Sequence, residues 1–556
     1  MLNDIGRPDF DAVVVGAGIG GIYQIKRLVD LGLKATVLEA AADLGGTWYS
    51  NRYPGCRFDS ESYTYGYSFS RELLDEWHWK ERFSSQPENL RYLNYVADKF
   101  DLRRHMQFNC RLESAHFDED AGLWRLTVSD GRRLTTRFLI LGTGLLSMPT
   151  LPGIPGMDRF RGRQFHTFHW PHEPVDLAGK KVAVIGAGAT AIQVIGAIAD
   201  QVGELVALQR RPNWCAPLNN SPISEAEMAD IRARYEEIFA LCARTPTGFV
   251  HDPDRRGFYN VSREERVALW DRLYAEPGFG IWMANFSEIF MNEAANAEFS
   301  EYMADQVRRR VKDPVLAEKL IPRDHGFGVQ RVPLETNYLE AFNMPHVKLV
   351  DLRETPIECV TETGLRTSGG DHEVDLIVYA TGFDAVTGSQ DRIDIRGRGG
   401  LRLKDKWDEE VSTFMGVMVH GFPNMLMISG PQGASASTNY PRGIETAAGW
   451  CADLIEHMGR NCQERVEAGS AAEAAWTAHV KEMYASMLMR KAKSWFTGYN
   501  SNVAGHEEGK VRYMVYNGGA QKYAARLRKV AAQGYAELEF QEAGAPAPLE
   551  VGLIAP

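Results

Sequence analysis

Two glycine runs, each set directly behind a short apolar strand, limit how this chain can fold more than any other feature. The first, Gly16-Ala-Gly18-Ile-Gly20-Gly21, follows Ala12 to Val15, and the second, Gly186-Ala-Gly188-Ala189-Thr190-Ala191, follows Val182 to Ile185. At each, a buried strand ends in a turn that lets backbone approach a pyrophosphate. The helix that follows offers unpaired N–H groups and its positive dipole end to the phosphates, with Gln193 one turn further into the second helix. The residues that would read the ribose differ. Glu39 closes the strand Ala35 to Leu38, 23 residues after Gly16, where a carboxylate accepts both hydroxyls of an adenosine ribose. After Val206 to Leu208 stand Arg210 and Arg211, which pair with a 2′-phosphate that a carboxylate would repel. The first site therefore reads as FAD and the second as NADPH. A single real site plus a glycine turn that merely packs helix on sheet is the alternative, and it leaves the repeated strand, glycines and ribose reader as coincidence.

The expected fold is α/β, with two Rossmann-like dinucleotide-binding domains and a helical insertion. Residues 1–150 read as the first part of the FAD domain, and 151–221 as a proline-punctuated linker leading into the NADPH domain. Helical spacing over Glu225 to Cys242, Arg263 to Tyr274 and Asn296 to Val311 makes 222–322 the insertion. The NADPH domain resumes over 323–384 and ends on the apolar run before Thr381-Gly382. Residues 385–540 return to the FAD domain, with a helix from Gly443, and 541–556 read as a disordered tail.

A net charge of −11 argues against nucleic acid or an anionic membrane as partner. Seven scattered cysteines without a CxxC suggest neither a disulfide framework nor a metal site, and they argue against a disulfide reductase. No signal peptide precedes the first strand and no apolar run approaches 18 residues, so a soluble, cytoplasmic protein is expected. The remaining partner for a reduced flavin is dioxygen. Its C4a adduct is an anionic peroxide that decays to hydrogen peroxide unless a fixed positive charge holds it.

Between the two nucleotide sites lies Phe160-Arg-Gly162-Arg-Gln-Phe-His166-Thr-Phe-His-Trp170-Pro171, of the form FxGxxxHxxxWP, and a second segment, Gly46-Thr47-Trp48 to Tyr53-Pro-Gly55-Cys-Arg-Phe-Asp59, stands before it. The two resemble the signatures of the type I Baeyer–Villiger monooxygenases, and the Trp170-Pro171 ending separates them from the related flavin-containing monooxygenases. The resemblance runs from the first strand to about residue 520. It implies conversion of a ketone to an ester or lactone with NADPH and O2.

By the same resemblance, Arg331 holds the flavin peroxide anion near the nicotinamide, Asp59 positions Arg331, and Trp495 folds over the NADP(H). From the residues alone, Arg331 is also readable as a surface arginine, Asp59 as a turn cap and Trp495 as a core aromatic. Thr47, Trp48 and Tyr65 are expected against the flavin, and Asn439 and Tyr440 in the pocket beside its ring. His166 reads as a hinge that couples nicotinamide position to domain closure, with a packed histidine as the alternative. One departure stands out: many family members carry a lysine directly before the catalytic arginine, and here the residue is Gln330. Preference for NADPH then rests on Arg210 and Arg211. The rival functions are oxidation of nitrogen or sulfur and a non-catalytic NADPH-binding flavoprotein.

Overall fold

The computed structural model describes residues 7–506 and 511–542. Its larger sheet runs in the order Asp394–Arg396, Leu112–Asp118, Leu123–Val128, Arg133–Leu141, Phe10–Val15, Ala35–Leu38, Met106–Gln107, with Met425–Met427 also alongside Arg133–Leu141. Phe10–Val15 has parallel neighbours on both sides, Val13 standing opposite Thr36 and Leu139. Its β-branched run is apolar throughout because helices cover both faces of such a strand, and Ala12, Val13 and Val14 are fully buried. Leu112–Asp118, by contrast, pairs antiparallel with Leu123–Val128 and alternates between buried and more exposed positions.

The second sheet is parallel throughout, in the order Val347–Asp351, Glu204–Gln209, Lys181–Ile185, Leu376–Tyr379, Arg163–His166. Each sheet thus places one glycine turn at the carboxyl end of a central strand, where open α/β sheets bind nucleotides. The antiparallel strands Ile357–Val360, Gly364–Thr367 and Gly370–Glu373 form a small separate sheet.

Between the two halves of the second sheet the chain is helical. Ser224 with Glu227, and Ser262 with Glu265, form capping boxes at Glu225–Ala233 and Arg263–Ala275, and the Asn292 side chain caps Glu293–Arg310. The helix expected over Glu225 to Cys242 is two helices. The first ends at Arg234, whose N–H is shared between the carbonyls of Asp230 and Ile231, and Tyr235–Arg244 then starts afresh.

The helix expected from Gly443 begins earlier, at Tyr440, because Pro441 is tolerated in a first turn. The C-terminal expectation needs correction too. Gln541 and Glu542 lie in the strand Leu538–Glu542, which pairs antiparallel with Gln463–Ala468, so order extends past residue 540; the rest of that tail lies outside the described residues. Among the described residues no helix is long and apolar enough to cross a membrane, and no group of three or more His, Cys, Asp or Glu could hold a metal ion.

Candidate active site

The glycine turns are built for close approach. Gly16 has φ +101°, and a Cβ there would lie 2.6 Å from the Gly142 carbonyl oxygen; a Cβ on Gly21 would lie 1.8 Å from that of Gly16. Only glycine lets the helix Ile19–Asp30 seat this tightly on the strand end. Gly186 repeats the device with φ +135° and a Cβ position 2.3 Å from the Ala380 oxygen. Glu39 is buried, its two carboxylate oxygens accepting from the Ala17 and Ala41 N–H groups at 2.7 Å each. A carboxylate so fixed keeps further lone pairs for a ribose diol. The strand ends and glycine turns fit a dinucleotide at each site, and Glu39 fits a ribose at the first.

One cavity of about 1620 Å³ connects the two turns. Gly16, Gly18, Gly20, Glu39 and Thr47 border it from the first sheet, with Trp48, Asp59 and Tyr65 further along. Gly188, Ala189, Thr190 and Gln193 border it from the second, and Arg331 and Trp495 reach it as well. Gly21 and Gly186 do not border it. Neither Arg210 nor Arg211 borders the cavity. Arg210 is exposed just past the strand Glu204–Gln209, whereas Arg211 is half-buried, 3.3 Å from an Asp324 carboxylate oxygen and from the Lys493 carbonyl, with its guanidinium 5.4 Å from the Tyr499 ring centre. Gln330 is half-buried beside Arg331.

Asp59 and Arg331 meet across 272 residues of sequence. Arg331 donates through both terminal nitrogens to the two Asp59 oxygens at 2.8 and 2.6 Å, a bidentate fork, and Nη1 also donates to the Val332 carbonyl at 3.1 Å. Asp59 is 2% exposed and takes a further N–H from Leu334 at 3.3 Å, while the Arg331 side chain keeps 30% of its surface open. The carboxylate is thus anchored and the cation faces the cavity.

The Trp48 indole donates to the Tyr65 hydroxyl at 2.7 Å, and both rings pack edge-on or tilted with Phe58. The segment they belong to also reaches the second sheet's helix. Tyr53 donates to Gln193 Oε1 at 2.9 Å, Gln193 Nε2 donates to the Arg57 carbonyl at 3.0 Å, and a Cβ on Gly55 would come within 2.6 Å of the Gln193 carbonyl. Tyr440 borders the cavity, but Asn439 does not. It is fully buried behind the wall, donating to Thr64 Oγ1 at 3.1 Å, so the expectation that both line the pocket holds for Tyr440 alone.

The middle of the FxGxxxHxxxWP segment is the edge strand Arg163–His166 of the second sheet rather than plain linker. His166 closes it. Its Nδ1 accepts from the Phe168 N–H at 3.1 Å, which leaves the proton on Nε2 to donate to the Gly382 carbonyl at 3.1 Å. Burial pushes the imidazole down to about 4, against the opposing hydrogen bond to Gly382, so it is neutral at physiological pH. The ring ties the segment to the turn after Leu376–Tyr379, and the next residues, Phe168 to Pro171, border the cavity.

Sequence reasoning gave no purchase on the insertion's share of the site. Phe249, Phe279, Trp282 and Phe290 form one wall of the cavity, and Met487 and Met489 add to it from the far end of the chain. No motif marks these residues. Tyr53 and Gly55, however, stand inside the second signature, where the glycine was a usable sign of close backbone approach.

A model of the flavin-binding monooxygenase-like family matches residues 11–217. The chain is 43% identical over 548 residues to the 2-oxo-Delta(3)-4,5,5-trimethylcyclopentenylacetyl-CoA monooxygenase of Pseudomonas putida, covering 97% of this chain and 100% of that protein. It is 38% identical over 533 residues to a Baeyer–Villiger monooxygenase of Pseudooceanicola batsensis, covering 95% and 96% of the two chains. The crystal structure of OTEMO in complex with FAD and NADP superposes with a TM-score of 0.93 at 43% identity, over 96% of this chain and 100% of that one. Full-length identity at this level leaves no room for a different fold or a partial match: the chain belongs to the type I Baeyer–Villiger monooxygenases.

Proposed function

We propose that this protein converts an apolar ketone into an ester or lactone, consuming NADPH and O2. The observation that carries the reading is the Asp59-held Arg331 on the cavity that both glycine turns share. In this reading the FAD part of the fold is 1–150 with 385–540, and the NADPH part is 151–221 with 323–384. Gly16, Gly18, Gly20, Gly21, Glu39, Thr47, Trp48, Asp59 and Tyr65 serve the FAD site. Gly186, Gly188, Ala189, Thr190, Gln193, Arg210, Arg211 and Trp495 serve NADPH.

When bound, FAD accepts hydride from NADPH and activates dioxygen, and so supplies the oxygen-transfer chemistry. The chain supplies the setting. Arg331 presents a preorganised guanidinium where negative charge develops. Asp59 fixes its direction. The aromatic wall excludes water and fits an apolar ketone better than a charged one. His166, neutral and hydrogen-bonded at both nitrogens, transmits position rather than protons.

The test is product analysis on a panel of cyclic and linear ketones, with a thioether and a tertiary amine included, under 18O2. One labelled oxygen atom in an ester or lactone is expected. Sulfoxide or N-oxide without any ester would overturn the ketone reading, and NADPH consumption that yields only hydrogen peroxide across the panel would overturn turnover altogether.

A second expectation concerns the coenzyme. With Gln330 in place of a lysine, 2′-phosphate recognition falls to Arg210 and Arg211. Arg211→Ala should raise the KM for NADPH about tenfold, the loss of roughly one charge-assisted hydrogen bond, and leave the KM for NADH unchanged. Steady-state kinetics with both coenzymes checks this. Equal losses for the two would show that Arg211 acts on the loop around Lys493 and Tyr499 and not on the phosphate.

A further inference from the structure

Asp59 is not the only acidic residue of its segment that holds a cation from elsewhere in the chain. Two positions on, Glu61 is 3% exposed and lies 2.8 Å through Oε1 from His251 Nε2. His251 belongs to the loop that follows the helix Tyr235–Arg244 and carries Phe249 and Pro253, both on the cavity wall. The Phe249 ring packs on Phe279 with centroids 5.3 Å apart, and Phe279 lies 5.8 Å from the Arg331 guanidinium. One short segment therefore sends Asp59 to the cation and Glu61 to the wall beside it.

We propose that Glu61 and His251 are a second positioning pair, which seats the wall 246–253 against Phe279 beside Arg331 and makes that seating, and with it the fraction of turnover that reaches ester, dependent on pH. The second part rests on the monooxygenase reading above; the first does not.

Three features separate this pair from a surface ion pair. Gly278 has φ +84°, and a Cβ there would fall 2.9 Å from Glu61 Oε1, so a glycine keeps the space for the carboxylate. Glu61 Oε2 is buried without a hydrogen-bond partner, so a neutral His251 would leave a buried charge poorly compensated. The hydrogen bonds that hold the loop backbone do not titrate: Thr245 Oγ1 donates to the Phe249 carbonyl, the Ala520 N–H to Pro246 and the Asn439 N–H to Thr247, and the loop's own carboxylate, Asp252, pairs at 3.2 Å with Arg255 three residues on and not with the wall. Burial opposes a charge on His251, but the Glu61 carboxylate and its hydrogen bond, with Glu276 behind, outweigh it and raise the imidazole above its ordinary 6.5. Tyr63 and Cys242, which also feel Glu61, are kept neutral by burial. A raised histidine holds the tether fully at acidic and near-neutral pH and releases it as pH climbs through the folded value.

The test uses the FAD-loaded full-length enzyme and two readouts. Hydrogen exchange of the 246–253 peptide, corrected for its intrinsic pH dependence, should lose protection as pH rises, and ester formed per NADPH consumed should fall over the same range. Glu61→Gln should move both midpoints down by about one pH unit or more, the scale of one close opposite charge. His251→Lys, which keeps its charge to higher pH, should move them up. Unmoved exchange midpoints in His251→Lys would overturn the pairing, whether or not Glu61→Gln retains flavin. Exchange midpoints that move while coupling does not would overturn the link to turnover. Absence of ester in the wild type, with the exchange shifts intact, would count against the ketone reading and leave the tether standing.

Discussion

Arg331→Ala should retain FAD, accept hydride from NADPH and consume oxygen, yet form ester at least about 10²- to 10³-fold more slowly, the range for removing one preorganised donor from a developing negative charge. The oxygen consumed should appear as hydrogen peroxide. The geometry makes the loss specific, because the Arg331 fork is spent on Asp59 and the Val332 carbonyl while 30% of the side chain still faces the cavity. The same geometry complicates the variant: without its partner, Asp59 is left buried with only the Leu334 N–H, and an unpaired buried charge costs about 3–5 kcal/mol. Arg331→Lys settles which effect is being measured. It keeps the charge but not the bidentate fork, and should fall between wild type and Arg331→Ala in ester formation while keeping most of the stability. Thermal melts and flavin content, read beside ester and peroxide yields, separate the two. Ester formation in Arg331→Ala at the wild-type rate would remove this residue from the chemistry.

Much of the frame was legible in advance because it is written locally. A glycine turn after a β-branched run, with a ribose reader at fixed distance, is a local pattern, and both sheets formed around such runs. The pairing of Asp59 with Arg331 was not local, being separated by 272 residues, and became readable only through motif resemblance. What stayed dark was set by packing. Phe249, Phe279, Trp282 and Phe290 are ordinary aromatics in sequence, and nothing in their spacing says that the insertion folds back over the cavity. Asn439 failed for the same reason: its loop is at the site, but its side chain turns toward Thr64. Helix ends erred where a single shared N–H decides them, as at Arg234. The strand Arg163–His166 hides inside a stretch that reads as linker because it is an edge, four residues long, with too short a run to declare itself.

The glycines offer the sharpest division between fold and function, because the structure says which of them have neighbours. A Cβ on Gly21 would sit 1.8 Å from the Gly16 oxygen, a backbone atom that cannot step aside without lifting the helix Ile19–Asp30 off its strand. Gly21→Ala should therefore yield a protein that has lost FAD and melts well below wild type, since forced overpacking costs about 1–3 kcal/mol even where side chains can yield. Gly188 is the opposite case. It has ordinary φ −82° and ψ −175°, and a Cβ there would meet nothing within 4 Å. Replacing it with alanine at a helix N-cap should cost the fold about 1 kcal/mol or less, leaving flavin content intact. If Gly188 is glycine because a pyrophosphate must lie against the backbone at the start of Ala189–Ile198, then Gly188→Ala should raise the KM for NADPH about tenfold or more with melting nearly unchanged. Melting, bound flavin and KM measured on the two variants side by side check both halves. A Gly188→Ala enzyme with wild-type KM would mean that the coenzyme does not approach this turn, and the second nucleotide site would have to be placed elsewhere along the cavity.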